Sequence, residues 1–272
     1  MILAGTVITG IGIDANAQAF ITAAGITDNT QIIALNTLVL QLKEKSIWSK
    51  LKAVYPFVGG TASAHKFNLI NPVDTNAGFR LTFTGGWTHS STGALPNGTN
   101  AYADSFFSPY TQYTVDDDAH LCFYSRTDTS IVSVDIGCTN SVGNYYHLLS
   151  IRRSDAGNNS YYGINVSDAA ANFAVKSADP TSRAFYLGTR TGTVTNGWKN
   201  STKDATNTGA TSLRPNYNVW LGAQNYSGSP AAGFYSNREY AFASIGQGLT
   251  DTNVTDYYTA VQAYQTSLSR QI

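Results

Sequence analysis

The chain has 272 residues, with 17 Lys plus Arg against 17 Asp plus Glu and a charged fraction of 12%. A balance this neutral argues against binding the phosphate backbone of a nucleic acid or an anionic membrane surface, since both need clustered cations. Abundant Thr, Ser, Asn, Gly and Tyr describe instead a β-rich protein whose outer faces are made polar by hydroxyls and amides.

The apolar start, Met1 to Ile13, lacks a basic segment and is broken by Gly5, Gly10 and Gly12. It is a poor signal peptide and too short to span a bilayer, so the chain is expected to fold in the cytoplasm where it is made. Ile2, Val7, Ile8, Ile11 and Ile13 are unpaired apolar side chains, and residues 1–13 read as an attachment segment. They would bury against a neighbouring copy or another protein, for instance as an added strand, or else form a strand on the same domain.

Residues 14–60 read as a helical subdomain. Ala15 to Ala24 and Asn29 to Lys45 are expected helices; the second carries the stripe Ile32, Leu35, Leu38, Val39 and Leu42, with Asp28 as its cap. The segment Ile47 to Gly60 is expected to close the helical part, with Pro56 and the glycine pair as breakers. A unit this small needs another surface to pack on.

Residues 61–249 read as a β-sandwich. Phe79, Leu81 and Phe83 alternate with Arg80, Thr82 and Thr84, which predicts a half-buried strand with the three apolar residues inward. Segments His120 to Arg126 and Ile131 to Gly137 read as one hairpin. Cys122 and Cys138 would then be either a cross-strand disulfide or, the preferred reading, two small buried thiols. Further strands are expected at Tyr145 to Arg152, Tyr161 to Val166, Ala184 to Arg190, Asn218 to Ala223 and Tyr240 to Ile245, separated by turn-rich clusters. Many short strands without intervening helices argue for a sandwich or jelly roll. Residues 250–272 read as a C-terminal helix capped at Thr250 or Asp251, docked on the sandwich or on the N-terminal helices through Val254, Tyr257, Val261 and Tyr264.

The words Ala19-Phe-Ile-Thr-Ala-Ala-Gly-Ile, Trp48-Ser-Lys-Leu-Lys-Ala-Val-Tyr-Pro-Phe-Val-Gly-Gly, Phe79-Arg-Leu-Thr-Phe-Thr-Gly-Gly-Trp, Asn218-Val-Trp-Leu-Gly-Ala-Gln-Asn and Phe242-Ala-Ser-Ile-Gly-Gln-Gly-Leu-Thr-Asp follow one another along the chain. In this order they resemble concanavalin-like (laminin-G-like) jelly-roll virion proteins of tailed bacteriophages. The resemblance implies a mainly β antiparallel jelly roll with helical ends, acting as a head-fibre, tail-fibre or spike subunit on the virion. It implies assembly in the bacterial host cytoplasm, contacts with other virion proteins or host surface glycans, and a homo-oligomer, by analogy a trimer. Longer relatives carry this unit behind a particle-binding part; here about a dozen residues precede the first helix, which favours a small added subunit.

Other chemistry is sparse. A glycan-degrading enzyme on this fold would need two carboxyl groups flanking the scissile bond. The chain has two glutamates, Glu44 and Glu239, and Asp135 lies alone on its strand, so no catalytic residues are expected. A purely structural decoration protein is the remaining alternative. Asp116, Asp117 and Asp118 form the one acidic run; they read as a solvated turn, with a calcium site as the alternative. The four histidines lack zinc-site spacing. Trp198, Asn225 and Tyr226 fall in turn-rich surroundings where rings could stack on a sugar and amides bond its hydroxyls, although a core or subunit-interface position is the preferred reading for the rings.

Overall fold

The computed structural model describes residues 12–142, 144–167, 172–209 and 213–272. Two long helices come first, α1 (Ala15–Ala24) and α2 (Asn29–Glu44). The Asp14 carboxylate accepts from the Asn16 N–H to start α1, and Gly25, at φ 66°, ends it in the left-handed conformation that a side chain would resist. Asp28 caps α2 by accepting from the Gln31 N–H. Lys43 of α2 reaches back 2.7 Å to Asp14, pinning the pair together.

The strands among the described residues are β1 (Leu51–Tyr55), β2 (Thr82–Thr84), β3 (Trp87–Ser90), β4 (Gly93–Pro96), β5 (Tyr102–Asp104), β6 (Asp118–Ser125), β7 (Ile136–Asn140), β8 (Tyr145–Arg153) and β9 (Asn159–Ser167). They continue with β10 (Ala174–Lys176), β11 (Ala184–Thr191), β12 (Val194–Lys199), β13 (Thr202–Asn207), β14 (Trp220–Leu221), β15 (Ala223–Tyr226), β16 (Ser229–Tyr235) and β17 (Tyr240–Gly246). Short helices α3 (Ala62–His65) and α4 (Pro109–Gln112) sit in the connections, and α5 (Asp251–Ser267) closes the chain. Thr250 and Asn253 form a reciprocal capping box at the start of α5.

Two sheets result. Sheet A runs β13-β12-β11-β6-β17-β4-β3, with β1 also on β17; sheet B runs β10-β9-β8-β7-β14-β5-β2, with β15 and β16 attached through β7. Pairings are antiparallel except β15 with β7. The protein is mainly β, a two-sheet sandwich with helices at its ends.

Sheet A is apolar on both faces, and the alternation along its strands divides the residues between two cores. Leu121 and Phe123 of β6, Tyr186 of β11 and Ile245 of β17 turn towards sheet B and meet Ile136, Leu149, Tyr162 and Ile164. Cys122, Tyr124, Phe185, Leu187, Trp198 and Phe242 turn the other way, onto Leu35, Leu38 and Leu42 of α2 and Val254, Tyr257 and Val261 of α5. The layers are therefore helices, sheet A and sheet B. An irregularity between Tyr240 and Phe242 in the pairing with β6 lets Ala241 and Phe242 both join the helix side.

Three expectations change. Leu51–Tyr55, inside the region read as a helical subdomain, is a strand of sheet A, because its alternation serves both cores, with Leu51 and Val54 on one side and Ala53 and Tyr55 on the other. The expected hairpin at 120–137 does not form. β6 belongs to sheet A and β7 to sheet B, so Cys122 and Cys138 lie in different sheets as free, buried thiols. The strand expected from Phe79 is confined to Thr82–Thr84, since Phe79 sits at φ 55°; Leu81 is buried, but Phe79 and Phe83 are only partly so.

Candidate functional site

The outer face of sheet B carries a cleft of about 770 Å³, within the range that holds small-molecule ligands. Strand alternation builds its floor. Along β8, Leu149 and Ile151 point into the sandwich, while Tyr146, Leu148 and Ser150 face the cleft. On β9, Tyr162 and Ile164 point inward and Tyr161 lines the cleft. Gly163 makes room for the Phe173 ring, because a Cβ there would lie 2.4 Å from it. Phe173 thus rests on the sheet, edge-on to Tyr146 at 5.3 Å and to Tyr161 at 6.2 Å between centroids.

The opposite wall is the β15–β16 hairpin, which contributes Gln224, Tyr226, Ala231, Ala232 and Phe234. The Gln224 amide is fixed by donating to Thr139 Oγ1 at 2.8 Å, and Tyr226 is 46% exposed. At one end stand Arg153 and Asp155. The guanidinium donates from Nε to Oδ1 at 2.9 Å and from Nη2 to Oδ2 at 2.5 Å, a two-point pairing. It also lies 5.6 Å from the centroid of Tyr161 and 5.1 Å from that of Phe234. The Arg153 hydrogen bond holds the Asp155 carboxyl below its ordinary range. Half-buried rings, a fixed amide and an ion pair around an open space suit a flat polyhydroxylated molecule: C–H faces stack on rings while hydroxyls bond the polar groups.

The residues singled out from sequence are dispersed. Tyr226 lines the cleft. Asn225 is buried beneath its own turn, donating to the Asn218 carbonyl and accepting from the Gly228 N–H. Trp198 is 5% exposed in the core between sheet A and the helices, with Lys203 over its ring, so it offers no surface to a ligand. The acidic run diverges. Asp116 pairs with Arg214, whereas Asp118 accepts from the Gly248 N–H and the Gln247 amide and so fixes the turn into α5. No set of three or more His, Cys, Asp or Glu suited to holding a metal occurs among the described residues. Ile13 is exposed just before α1; Ile2, Val7, Ile8 and Ile11 lie outside the described residues.

Asp135 lies just before β7 rather than on a strand, and it is not alone. It is fully buried with Arg238, 2.7 Å from Nη1, and accepts from Ser236 Oγ and the Ile151 N–H. Glu239 pairs with Arg126 at 2.9 Å. Sequence reasoning missed the cleft residues, since Tyr146 and Tyr161 read as ordinary strand aromatics and Phe173 and Phe234 fall outside the strands expected. The available signal was β8, apolar on both registers in a strand expected to have one wet face.

No helix among the described residues is long and apolar enough to cross a membrane. No protein-family model matches the chain, and no curated protein matches it either. Solved structures do. Domain 4 of AbnA, a GH43 extracellular arabinanase from Geobacillus stearothermophilus solved with arabinotriose, aligns over 76% of this chain and 98% of its own, at 15% identity and a TM-score of 0.50. Trypanosoma rangeli sialidase, in complex with a difluoro-KDN, aligns over 84% of this chain at 10% identity and the same TM-score, with 39% of its own length covered. A mutant of that sialidase displaying trans-sialidase activity aligns over 86% at 9% identity and 0.50. At these identities the likeness establishes the fold that the chain shares with them, a β-sandwich domain.

Proposed function

We propose that this protein is a glycan-binding β-sandwich that holds a saccharide in the cleft on the outer face of sheet B. The observation that carries the reading is the cleft itself, with Tyr146, Tyr161, Phe173, Tyr226 and Phe234 around an open volume of about 770 Å³ and Arg153, Asp155 and Gln224 as polar contacts. The arabinanase domain bound to arabinotriose and the sialidase bound to a sugar analogue share the fold and lend the reading support. Binding is proposed without cleavage. Among the described residues, the lining includes a single carboxylate, Asp155, kept ionised by Arg153, and glycoside hydrolysis generally takes two carboxyl groups.

The setting proposed is the surface of a tailed-phage particle, where the protein would act as a self-associating appendage touching host glycans. That part rests on the ordered sequence words, and antibody labelling of intact particles tests it. For the cleft, the test is a glycan array followed by titration calorimetry on the wild type, Tyr161→Ala and Phe173→Ala. Expected is a saccharide whose affinity drops at least about tenfold in both variants while their folds persist, in line with the contribution of a stacking ring. A wild type that binds no saccharide, or variants that bind as well as it does, overturns the reading.

A further inference from the structure

Arg153 is the one cation among the described residues lining the cleft, and its Nε and Nη2 edge is already engaged. Two of its nitrogens donate to the two oxygens of Asp155, and its flat face lies between Tyr161 and Phe234. A guanidinium free in a cleft selects carboxylates by offering them just such a two-point contact. Here that contact is already made by a side chain two residues along the same chain, so the cleft presents a neutral ion pair. A carboxylated sugar would have to displace Asp155 or bring a second negative charge beside it, whereas a neutral sugar can accept from the guanidinium and donate to the carboxylate through adjacent hydroxyls.

We infer that the cleft selects neutral saccharides over acidic ones, and that Asp155 sets this preference by occupying the carboxylate-binding side of Arg153. The inference rests on the proposed glycan-binding reading. It assigns Asp155 a specificity role rather than a structural one, because its side chain is 41% exposed and its partner Arg153 is also held by the two rings.

The experiment compares matched neutral and acidic probes, lactose with 3′-sialyllactose and galactotriose with trigalacturonic acid, beside a mixed glycan array. The proteins are the wild type, Asp155→Asn and the double variant Arg153→Gln/Asp155→Asn, each checked for an unchanged melting transition. The wild type should favour neutral members at least tenfold. Asp155→Asn should narrow that ratio at least tenfold by gaining acidic binding, the gain should weaken as salt rises, and the double variant should lose it. Acidic probes bound by the wild type as well as neutral ones overturn the inference while leaving the cleft a glycan site. So does an Asp155→Asn protein with an unchanged ratio, or a double variant that keeps the gain. If the wild type binds no saccharide at all, the underlying reading fails and takes the inference with it.

Discussion

Each sheet has one face in the sandwich interior, and the two differ in what covers the other. The outer face of sheet A is closed by α2 and α5, and its side chains there, among them Phe185, Leu187 and Trp198, are buried. Among the described residues no long helix like α2 or α5 lies across the outer face of sheet B, yet it too carries large rings, which are only half covered. The same residue types thus serve two ends. Under helices they make a core; left open in a concavity they make a place for something that is not part of the chain.

The largest expected effect concerns the covered regions, which hold histidines that must stay neutral. His120 lies under α5, donating from Nδ1 to the Gln247 carbonyl, and His147 lies inside the sandwich against Tyr113. Burial pushes His120 down to about 4 and His147 and His65 down to about 3, from an ordinary 6.5. A base whose folded pKa is depressed contributes stability that is present above its unfolded value and lost as pH falls towards the folded one. Each such group removes up to about 1.4 kcal/mol per pH unit below roughly pH 6.5. Unfolding free energies from urea titrations between pH 7 and pH 4 should fall steeply, by several kcal/mol in total. A flat profile would break the claim that both interfaces are dry.

Next come substitutions that compare the two outer faces directly. Phe185 is fully buried against Tyr257 and Tyr258 of α5, so Phe185→Ala should cost about 3–5 kcal/mol in chemical denaturation. Phe173→Ala, on the open face, should cost about 1 kcal/mol or less and remove saccharide binding. Equal costs would mean that the open face is a second core and not a site. At Asp135, which the sequence reading left without a partner, Asp135→Ala should cost about 3–5 kcal/mol because it strands Arg238 as a buried, unpaired cation. Replacing both residues with apolar ones should recover much of that loss.

The covered face was the more legible one. Helix caps at Asp28 and Thr250 and the stripes of α2 and α5 follow from local rules, and the structure has them where spacing puts them. Strands bounded by turn-rich clusters, such as Tyr145 to Arg153 and Ala184 to Thr191, were legible too. What was not legible depends on which sheet a strand joins. The link between β6 and β7 crosses the sandwich, so two segments that look like a hairpin end in different layers. The cleft suffers most, because Tyr146, Tyr161 and Phe173, from one stretch of the chain, face Tyr226 and Phe234 of the much later β15–β16 hairpin. Tyr226 was found since it sits in a turn beside Asn and Gly; Trp198, in a similar local setting, turned out to face the helices.

The smallest expected effect lies where the two sheets meet, along the outermost strands β10 and β13. Asp204 of β13 is partly buried there near Asp179, which is already paired with Lys199. Burial, and then the charge of Asp179, push the Asp204 carboxyl up to about 6 from 3.8. The sign is opposite to that of the histidines. A carboxyl whose folded pKa is raised contributes stability below its unfolded value, and this is lost as pH rises through about 6. At pH 7 the folded protein therefore carries an ionised group in a place that disfavours it. Asp204→Asn should stabilise at pH 7 by about 1 kcal/mol, once solvent screening of a group this exposed is discounted. The difference between variant and wild type should shrink towards zero as the pH is lowered to about 4, even as both proteins lose stability through their histidines. A variant that is less stable than wild type at pH 7 would show that the Asp204 carboxylate is held by partners at this seam rather than merely tolerated.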